Sequence, residues 1–237
     1  MEICITLYTV ATRMGGQSIK VVATSDLHGY LPVIPECDLL CICGDIVLTS
    51  IQNHKHFTES WLLTGFKKWC EEAPCDKVLF IAGNHDIWFN KEFMTTNFPK
   101  EGKVTYLQDE LYTYKGKTIY GTPYCQIFGN WAFMLPPKEL EETYSKIPEN
   151  LDILMTHDQP RGYGDVLLQE VWWNDGSNIG NKQLATAVLE KQPRYMFVGH
   201  LHSTTHQCVK IGETRRYNVS ISDEYYNPVY SLLKLEI

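Results

Sequence analysis

Short apolar runs recur along the chain, and each of them ends abruptly at a polar residue. Glycine stands at the end of several of these runs. Continuous apolar runs of this kind are typical of β-strands that are buried on both faces. The pattern therefore predicts five buried strands, at residues 19–25, 38–43, 77–82, 151–156 and 194–198.

Between these runs lie segments in which apolar and charged side chains alternate with helical spacing. In the first segment, charged residues separate Phe57, Trp61 and Trp69. The last segment is stopped by Pro193, because proline cannot continue a helix. We predict helices over residues 57–72, 138–146 and 182–191.

The C-terminal part of the chain has a different pattern. Residues 215–221 and 229–237 are both strand-like and are joined without a helix, and residues 117–121 are also strand-like. We therefore expect an α/β fold, in which two mixed β-sheets form a layered αββα-type sandwich flanked by helices. We expect one domain over residues 18–237. Residues 1–17 are treated as an N-terminal appendage, with Met14 as an alternative start.

Composition and charge narrow the class of protein. With 237 residues, 44% of them hydrophobic, the chain can bury a large core. Its net charge is −7 and its Lys and Arg residues form no dense cluster, which argues against a strong nucleic-acid patch. No apolar run reaches the roughly 18 residues that a membrane-spanning helix needs, so no membrane partner is expected. Glu2 stands where a signal peptide carries positive charge, and we expect a cytoplasmic protein.

The eight cysteines are scattered, and no pair of them has C-x-x-C spacing. A disulfide framework or a cysteine zinc site is therefore not expected. Cys41 and Cys43 lie within an apolar run, and we predict that they are small core residues.

Histidine, aspartate and asparagine residues follow the ends of the five predicted strands. In α/β proteins, ligands gather at the carboxyl ends of strands. One such residue alone is more often a structural histidine or a helix N-cap, but five strands deliver donors here. Imidazole and carboxylate together suit Mn, Fe, Co, Ni or Zn better than Mg or Ca. The residues are Asp26, His28, Asp45, Asn84, His85, His157, His200 and His202.

The order of these residues resembles the signature of the calcineurin-like metallophosphoesterases. The blocks are Asp-x-His, Gly-Asp, Gly-Asn-His-Asp, a single His and Gly-His-x-His. The resemblance implies two divalent transition-metal ions and assigns His85 and Asp86 to catalysis. Asp86 would lie behind the metal ligands without binding a metal itself. One implied ligand set is Asp26, His28, Asp45 and His202, and the other is Asp45, Asn84, His157 and His200.

Further blocks resemble one branch, the small metallophosphoesterase-domain-containing proteins, some of which are cyclic-nucleotide phosphodiesterases. Such blocks occur at residues 121–123, 128–133, 155–157 and 218–223. The chain departs from this branch at residues 158–160, where Asp-Gln-Pro replaces the usual Gly-Pro-Pro.

The resemblance implies hydrolysis of phosphodiesters, cyclic nucleotides among them, or of phosphomonoesters. In such a reaction a hydroxide bridging the two metals attacks phosphorus, and His85 protonates the leaving group. Two divalent ions, less Asp26, Asp45 and the hydroxide, leave a local charge of about +1 for an anionic substrate. A nuclease of the same superfamily and a non-catalytic scaffold that keeps the metal site are the alternatives.

Substrate contacts are predicted around this centre. Arg161 follows His157 by four residues and is a candidate phosphate contact. Aromatic rings near the same strand ends are candidates for a wall that stacks on a base or aryl group. These rings are Tyr124, Phe128, Trp131, Trp172 and Trp173. We expect a small phosphate ester as the partner, and the sequence leaves the oligomeric state open.

Overall fold

The computed structural model of the protein describes residues 17–168 and 175–237, and two β-sheets lie at its centre. The strands are β1 (Lys20–Thr24), β2 (Cys37–Cys43), β3 (Cys75–Ile81), β4 (Val104–Tyr106), β5 (Glu110–Tyr114), β6 (Lys117–Thr122), β7 (Cys125–Gln126), β8 (Met134–Leu135), β9 (Ile153–Thr156), β10 (Tyr195–Val198), β11 (Val209–Ile211), β12 (Thr214–Asn218) and β13 (Leu233–Glu236).

Both large sheets are mixed. The first has the order β13-β1-β2-β3-β4, in which β13 alone is antiparallel to its neighbour. The second has the order β11-β12-β10-β9-β6-β5, with a parallel centre and an antiparallel strand at each edge. Strands β7 and β8 form a small parallel pair. Because the central strands are parallel, their carboxyl ends lie at one edge of each sheet.

Helices cover the outer face of each sheet. They are α1 (Lys55–Trp61), α2 (Lys67–Glu72), α3 (Lys91–Asn97), α4 (Pro137–Ser145) and α5 (Lys182–Lys191), and the π-helical segment Leu62–Phe66 joins α1 to α2. The side chains of Asn90 and Asn181 cap α3 and α5 by accepting from backbone N–H groups. No helix among the described residues is long and apolar enough to cross a bilayer.

Three apolar layers hold the sandwich together. The first lies between the first sheet and helices α1–α3, where the Phe80 ring packs at 5.2 Å from Phe66 and 5.0 Å from Phe98. The second lies between the sheets, and the third lies between the second sheet and helices α4 and α5. Alternate residues of β2 point into different layers: Leu40 into the first and Cys41 into the second. Burial on both faces explains the continuous apolar runs, and the predicted αββα sandwich is confirmed.

The five predicted buried strands and three predicted helices are confirmed, with ends that coincide with the prediction or differ by one to a few residues. The predicted helix at residues 57–72 differs in its middle, where the chain makes a π-helical turn. The sequence did not predict α3 or the short strands β4, β5, β7, β8 and β11. These elements are too short to show a clear period. The predicted appendage lies outside the described residues except for residue 17.

Candidate active site

Strand ends from both sheets deliver the predicted donors to one edge of the sandwich. Asp26 follows β1, Asp45 follows β2 and Asn84 follows β3 in the first sheet. His157 directly follows β9, and His200 closely follows β10 in the second sheet. Residues that are far apart in sequence therefore meet at a single centre.

Four of the donors form a compact group. One ligand atom from each of Asp26, His28, Asp45 and His202 lies within 4.8 Å of the others, an arrangement that can hold a metal ion. Nε2 of His202 lies 3.2 Å from Oδ1 of Asp26 and 3.4 Å from Nε2 of His28. Nε2 of His28 lies 3.9 Å from Oδ2 of Asp45. These four residues are the first ligand set that the resemblance implied.

The remaining donors form a second group on the other side of Asp45. Oδ2 of Asp45 lies 3.3 Å from Nε2 of His157, and that nitrogen is 3.0 Å from Oδ1 of Asn84. The imidazole of His200 lies 5.1 Å from that of His157, measured between ring centroids. The same Asp45 oxygen thus faces an imidazole of each group.

Backbone hydrogen bonds fix the orientation of two of the imidazoles. Nδ1 of His157 donates to the carbonyl of Cys43 at 2.8 Å, and Nδ1 of His202 donates to the carbonyl of Asp223 at 2.8 Å. Each ring therefore presents Nε2 to the centre, which is the arrangement that metal-binding histidines usually adopt. Nδ1 of His28 has no partner among the described residues, and the Tyr226 ring packs against this imidazole at 4.5 Å.

The backbone around the centre adopts conformations that are costly for residues other than glycine. Asp26, His28, Asp45 and His200 have φ angles of 55°, 42°, 51° and 68°. Each such angle costs on the order of 1–3 kcal/mol, so the surrounding fold must hold these residues in place. Strained backbone of this type gathers at functional sites, and here it coincides with four of the seven predicted ligands.

Glycine precedes three of the predicted ligands because other atoms of the centre come very close. A Cβ atom on Gly83 would lie 2.3 Å from Oδ1 of Asp45. A Cβ atom on Gly199 would lie 2.6 Å from Oδ2 of Asp26. Gly44 has a φ angle of 96° in addition to a similar close approach.

The carboxylates and imidazoles shift one another's protonation. Burial opposes charge on Asp45, but His157, His85 and His28 together outweigh it and hold the pKa of this carboxyl well below its usual range. Burial also opposes charge on His157, yet Asp45 raises the pKa of this imidazole to about 10. Burial lowers the pKa of His28 to about 4 and that of His200 to about 3.

The donor set fits a transition-metal cation. Asp26 and Asp45 have lowered pKa values, so both carboxyl groups are ionised at pH 7. They face four imidazoles, and two of these, His28 and His200, are neutral at pH 7. Mixed oxygen and nitrogen donors are the ligands that Mn, Fe, Co, Ni and Zn accept. The Nε2 atoms of His28 and His202 lie only 3.4 Å apart, so both can reach one shared cation.

His85 and Asp86 follow Asn84 but have different surroundings. Nδ1 of His85 donates to Oε1 of Gln52 at 2.7 Å, and its backbone N–H donates to Oδ1 of Asp45. Asp86 is buried and accepts from three backbone N–H groups, including those of the two residues that follow Asp45. Burial, followed by the charge of Asp45, raises the pKa of Asp86 to about 7.

A cavity of about 600 Å³ opens over the centre and contains some of the predicted substrate contacts. Arg161 and Phe128 line it, and Trp131 packs on His85 with 4.4 Å between the rings. Tyr124 packs instead against the outer core layer of the second sheet. Trp172 and Trp173 lie outside the described residues. The sequence did not single out the further lining residues Gln126, Ser177, Asn178, Ile179, Leu201, Glu224 and Tyr226.

The Asp-Gln-Pro departure supports the loop that carries His200 and His202. Nε2 of Gln159 donates to the carbonyls of Gly199 and Leu201 at 2.8 and 3.0 Å. Its Oε1 accepts from the buried guanidinium of Arg216. A proline side chain at this position would provide none of these hydrogen bonds, so this chain fixes the loop in its own way.

The αββα sandwich and its His, Asp and Asn centre together are those of a metal-dependent hydrolase. The sequence profile described as "Calcineurin-like phosphoesterase" matches residues 19–204. The chain belongs to this family, and the resemblance inferred from its motifs is confirmed.

Sequence relatives agree with this assignment. Metallophosphoesterase domain-containing protein 1 of Homo sapiens is 31% identical over 239 residues, which cover 89% of this chain and 68% of the relative. The Mus musculus protein of the same name gives the same values. A UPF0046 protein of Caenorhabditis elegans is 28% identical and covers 92% of this chain and 81% of its own length.

Solved structures share the fold at low sequence identity. TT1561 of Thermus thermophilus superimposes with a TM-score of 0.57 and 12% identity, covering 85% of this chain and 88% of that one. Phosphopantetheinyl hydrolase of Mycobacterium tuberculosis gives a TM-score of 0.55 and 15% identity, covering 93% of this chain and 97% of that one. At such identities the similarity shows the architecture alone.

Proposed function

We propose that this phosphoesterase binds two divalent transition-metal ions and prefers phosphodiesters, cyclic nucleotides among them. The position of Asp45 carries the proposal, because its Oδ2 lies 3.9 Å from Nε2 of His28 and 3.3 Å from Nε2 of His157. A carboxylate that faces both groups of donors is suited to bridge two cations.

The proposed ligands divide around this carboxylate. Asp26, His28, Asp45 and His202 would hold one ion, and Asp45, Asn84, His157 and His200 would hold the other. Divalent ions bound here would polarise a phosphoryl oxygen and acidify a water molecule. The carbonyls of Cys43 and Asp223 keep Nε2 of His157 and Nε2 of His202 turned towards the centre.

His85 is proposed to protonate the leaving oxygen. Nδ1 of His85 is hydrogen-bonded to Gln52, so Nε2 is the ring nitrogen that remains for a substrate. His85 lines the cavity. General acid catalysis of this kind contributes roughly 10²–10⁴-fold to the rate. Asp86 is proposed to act as a positioning residue, since its carboxylate is committed to backbone N–H groups.

The cavity suits an anionic substrate that also carries an apolar group. Arg161 can meet a phosphoryl oxygen, while Phe128 and Tyr226 offer ring faces along the same cavity. Phe128 lies 5.0 Å from the ring of His200, so a stacked group would lie beside the centre. These features support the diester preference, because a diester brings a second organic group to the site.

Metal reconstitution combined with turnover tests the proposal. Chelator-treated protein should lose hydrolysis of bis(p-nitrophenyl) phosphate and regain it with Mn²⁺. The diester should be turned over faster than p-nitrophenyl phosphate. Metal bound without turnover of either ester would favour a scaffold, and cleavage restricted to DNA or RNA would favour a nuclease. Full activity of the metal-free protein would contradict the proposal.

Metal stoichiometry tests the bridge. Asp45→Asn should weaken both metals, His202→Ala should mainly weaken one, and the exposed His56→Ala should retain both as a matched control. Two full equivalents of metal in Asp45→Asn would contradict the bridging role.

A further inference from the structure

Two cysteines lie side by side at the end of the first sheet that is remote from the metal centre. Cys37 is the first residue of β2, and Cys75 is the first residue of β3. They are register partners in this parallel pair, so their side chains project from the same face of the sheet. Neighbouring strands are about 4.8 Å apart, and disulfides join Cα atoms about 4.4–6.8 Å apart. The register therefore places the pair within reach of a disulfide.

The two thiols influence each other's protonation. Both residues are free thiols. The neighbouring Cys37 thiol, with help from the Lys103 ammonium, lowers the pKa of Cys75. The neighbouring Cys75 thiol, with burial, raises the pKa of Cys37. Nζ of Lys103 is held nearby, because it donates to the carbonyl of Ala73 at 2.7 Å.

A surface cavity gives access to this pair. A cavity of about 520 Å³ is lined by Cys37 and Cys75. The exposed fractions of these two residues are 7% and 9%, whereas Cys41 and Cys70 have none. A small oxidant can therefore reach the pair while it is kept from cysteines only a few residues away.

We propose that Cys37 and Cys75 form a reversible disulfide when they meet a hydroperoxide. The Cys75 thiolate attacks one oxygen of hydrogen peroxide, the O–O bond breaks, and hydroxide leaves and takes up the proton released by Cys75. The sulfur of Cys37 then attacks the resulting Cys75 sulfenic acid. The S–O bond breaks, and the departing hydroxide takes the Cys37 proton to form water. Two thiols and one peroxide thus give one disulfide and two waters, and the sulfurs lose two electrons.

The disulfide joins two strands that carry metal-centre residues at their far ends. Asp45 follows β2 and Asn84 follows β3. The bond also closes a loop that contains α1 and α2, which restricts the unfolded chain. We therefore expect the oxidised protein to unfold at a higher temperature, by about 4 °C or more.

Peroxide treatment followed by peptide mapping tests the proposal. The test uses a full-length variant with Cys4→Ser and Cys208→Ser. These substitutions remove the exposed Cys208 and Cys4, the one cysteine outside the described residues. Hydrogen peroxide should yield a peptide pair crosslinked through Cys37 and Cys75, lighter by two hydrogens and restored by dithiothreitol. Cys41→Ala is the matched control on the same strand and should still form the crosslink.

Cys37→Ser should leave Cys75 as a sulfenic or sulfinic acid without a crosslink. If peroxide oxidises Cys208 in the unsubstituted chain but leaves Cys37 and Cys75 reduced, the proposal is wrong. A crosslink of Cys75 to Cys70 would also overturn it. An oxidised form with a lower unfolding temperature would show that the folded strands do not accommodate the bond. These readouts require no catalytic activity, so they are independent of the proposed reaction.

Discussion

The side-chain oxygen of Gln52 lies 2.7 Å from Nδ1 of His85. Because an amide oxygen can only accept, Nδ1 carries a hydrogen and Nε2 is directed to the cavity. Gln52 is buried, and its own backbone N–H donates to the carbonyl of Leu48 in the turn that follows β2. A residue of the turn between β2 and α1 thereby sets the orientation of the proposed general acid.

Replacing Gln52 should therefore affect protonation of the leaving group. In Gln52→Leu, we expect kcat for a diester with a poor leaving group to fall about tenfold, the equivalent of one hydrogen bond of about 1.4 kcal/mol. Bis(p-nitrophenyl) phosphate should be much less affected, because p-nitrophenolate leaves without a proton. Gln52→Glu keeps an acceptor oxygen and should recover most of the rate. An equal loss on both esters, or a loss of bound metal, would argue against this role.

The space around Gly83 leads to a second prediction. In Gly83→Ala the new Cβ would lie 2.3 Å from Oδ1 of Asp45, so the carboxylate must move. We expect metal affinity to fall by at least about 10- to 100-fold, the usual cost of disturbing a ligand's support. Gly102→Ala is the control, because its Cβ would meet no atom closer than 3.4 Å. Metal titration of both variants checks the expectation, which fails if Gly83→Ala binds metal like the control.

Metal binding should release protons. The pKa of His157 is raised to about 10 and that of His202 to about 9, so both imidazoles are protonated in the metal-free protein at pH 6–8. Each cation needs one of these imidazoles as a neutral ligand, His202 in one ligand set and His157 in the other, whereas His28 and His200 are already neutral in this range. The apparent association constant of each ion should rise by about tenfold per pH unit, as expected for release of one proton per ion.

The rise should weaken as the pH passes about 9, where His202 loses its proton without metal. Calorimetric titration with Mn²⁺ in buffers of different ionisation enthalpy counts the protons directly. Binding that releases no protons and does not depend on pH would contradict the assignment of His157 and His202 as ligands. His56→Ala should release as many protons as the unaltered protein.

Phe128 provides a test of substrate choice. It lines the cavity, and 55% of its surface is exposed, so it is free to stack on a base. Stacking is worth about 1–3 kcal/mol, so Phe128→Ala should raise KM for a nucleotide diester by roughly 5- to 150-fold. A small alkyl diester should be unaffected. The neighbouring Ile127 is 57% exposed but does not line the cavity, and Ile127→Ala is the matched control. Parallel losses on both substrates would assign Phe128 to packing.

The sequence predicted the fold and the site best where burial acted on every residue of a continuous segment. Burial on both faces makes β2 continuously apolar from Leu39 and β3 from Val78, and a donor that follows each strand marks the edge of the sheet. Gln52 and Tyr226 gave no such signal. Each reaches the centre through a turn whose path depends on the packing of the rest of the chain. Their roles could therefore be recognised only from the structure.

Strand β13 has a consequence for how the protein is made on the ribosome. It pairs with β1 over Lys20–Ala23, and the backbone N–H of Ile19 donates to the carbonyl of Ile237 at 3.0 Å. The backbone N–H of His200 reaches Asp26 across 174 positions of sequence. Contacts of such long range form slowly. During translation one edge of β1 therefore stays open until β13 emerges, and the nascent chain must keep that edge from other strands while its centre is still incomplete.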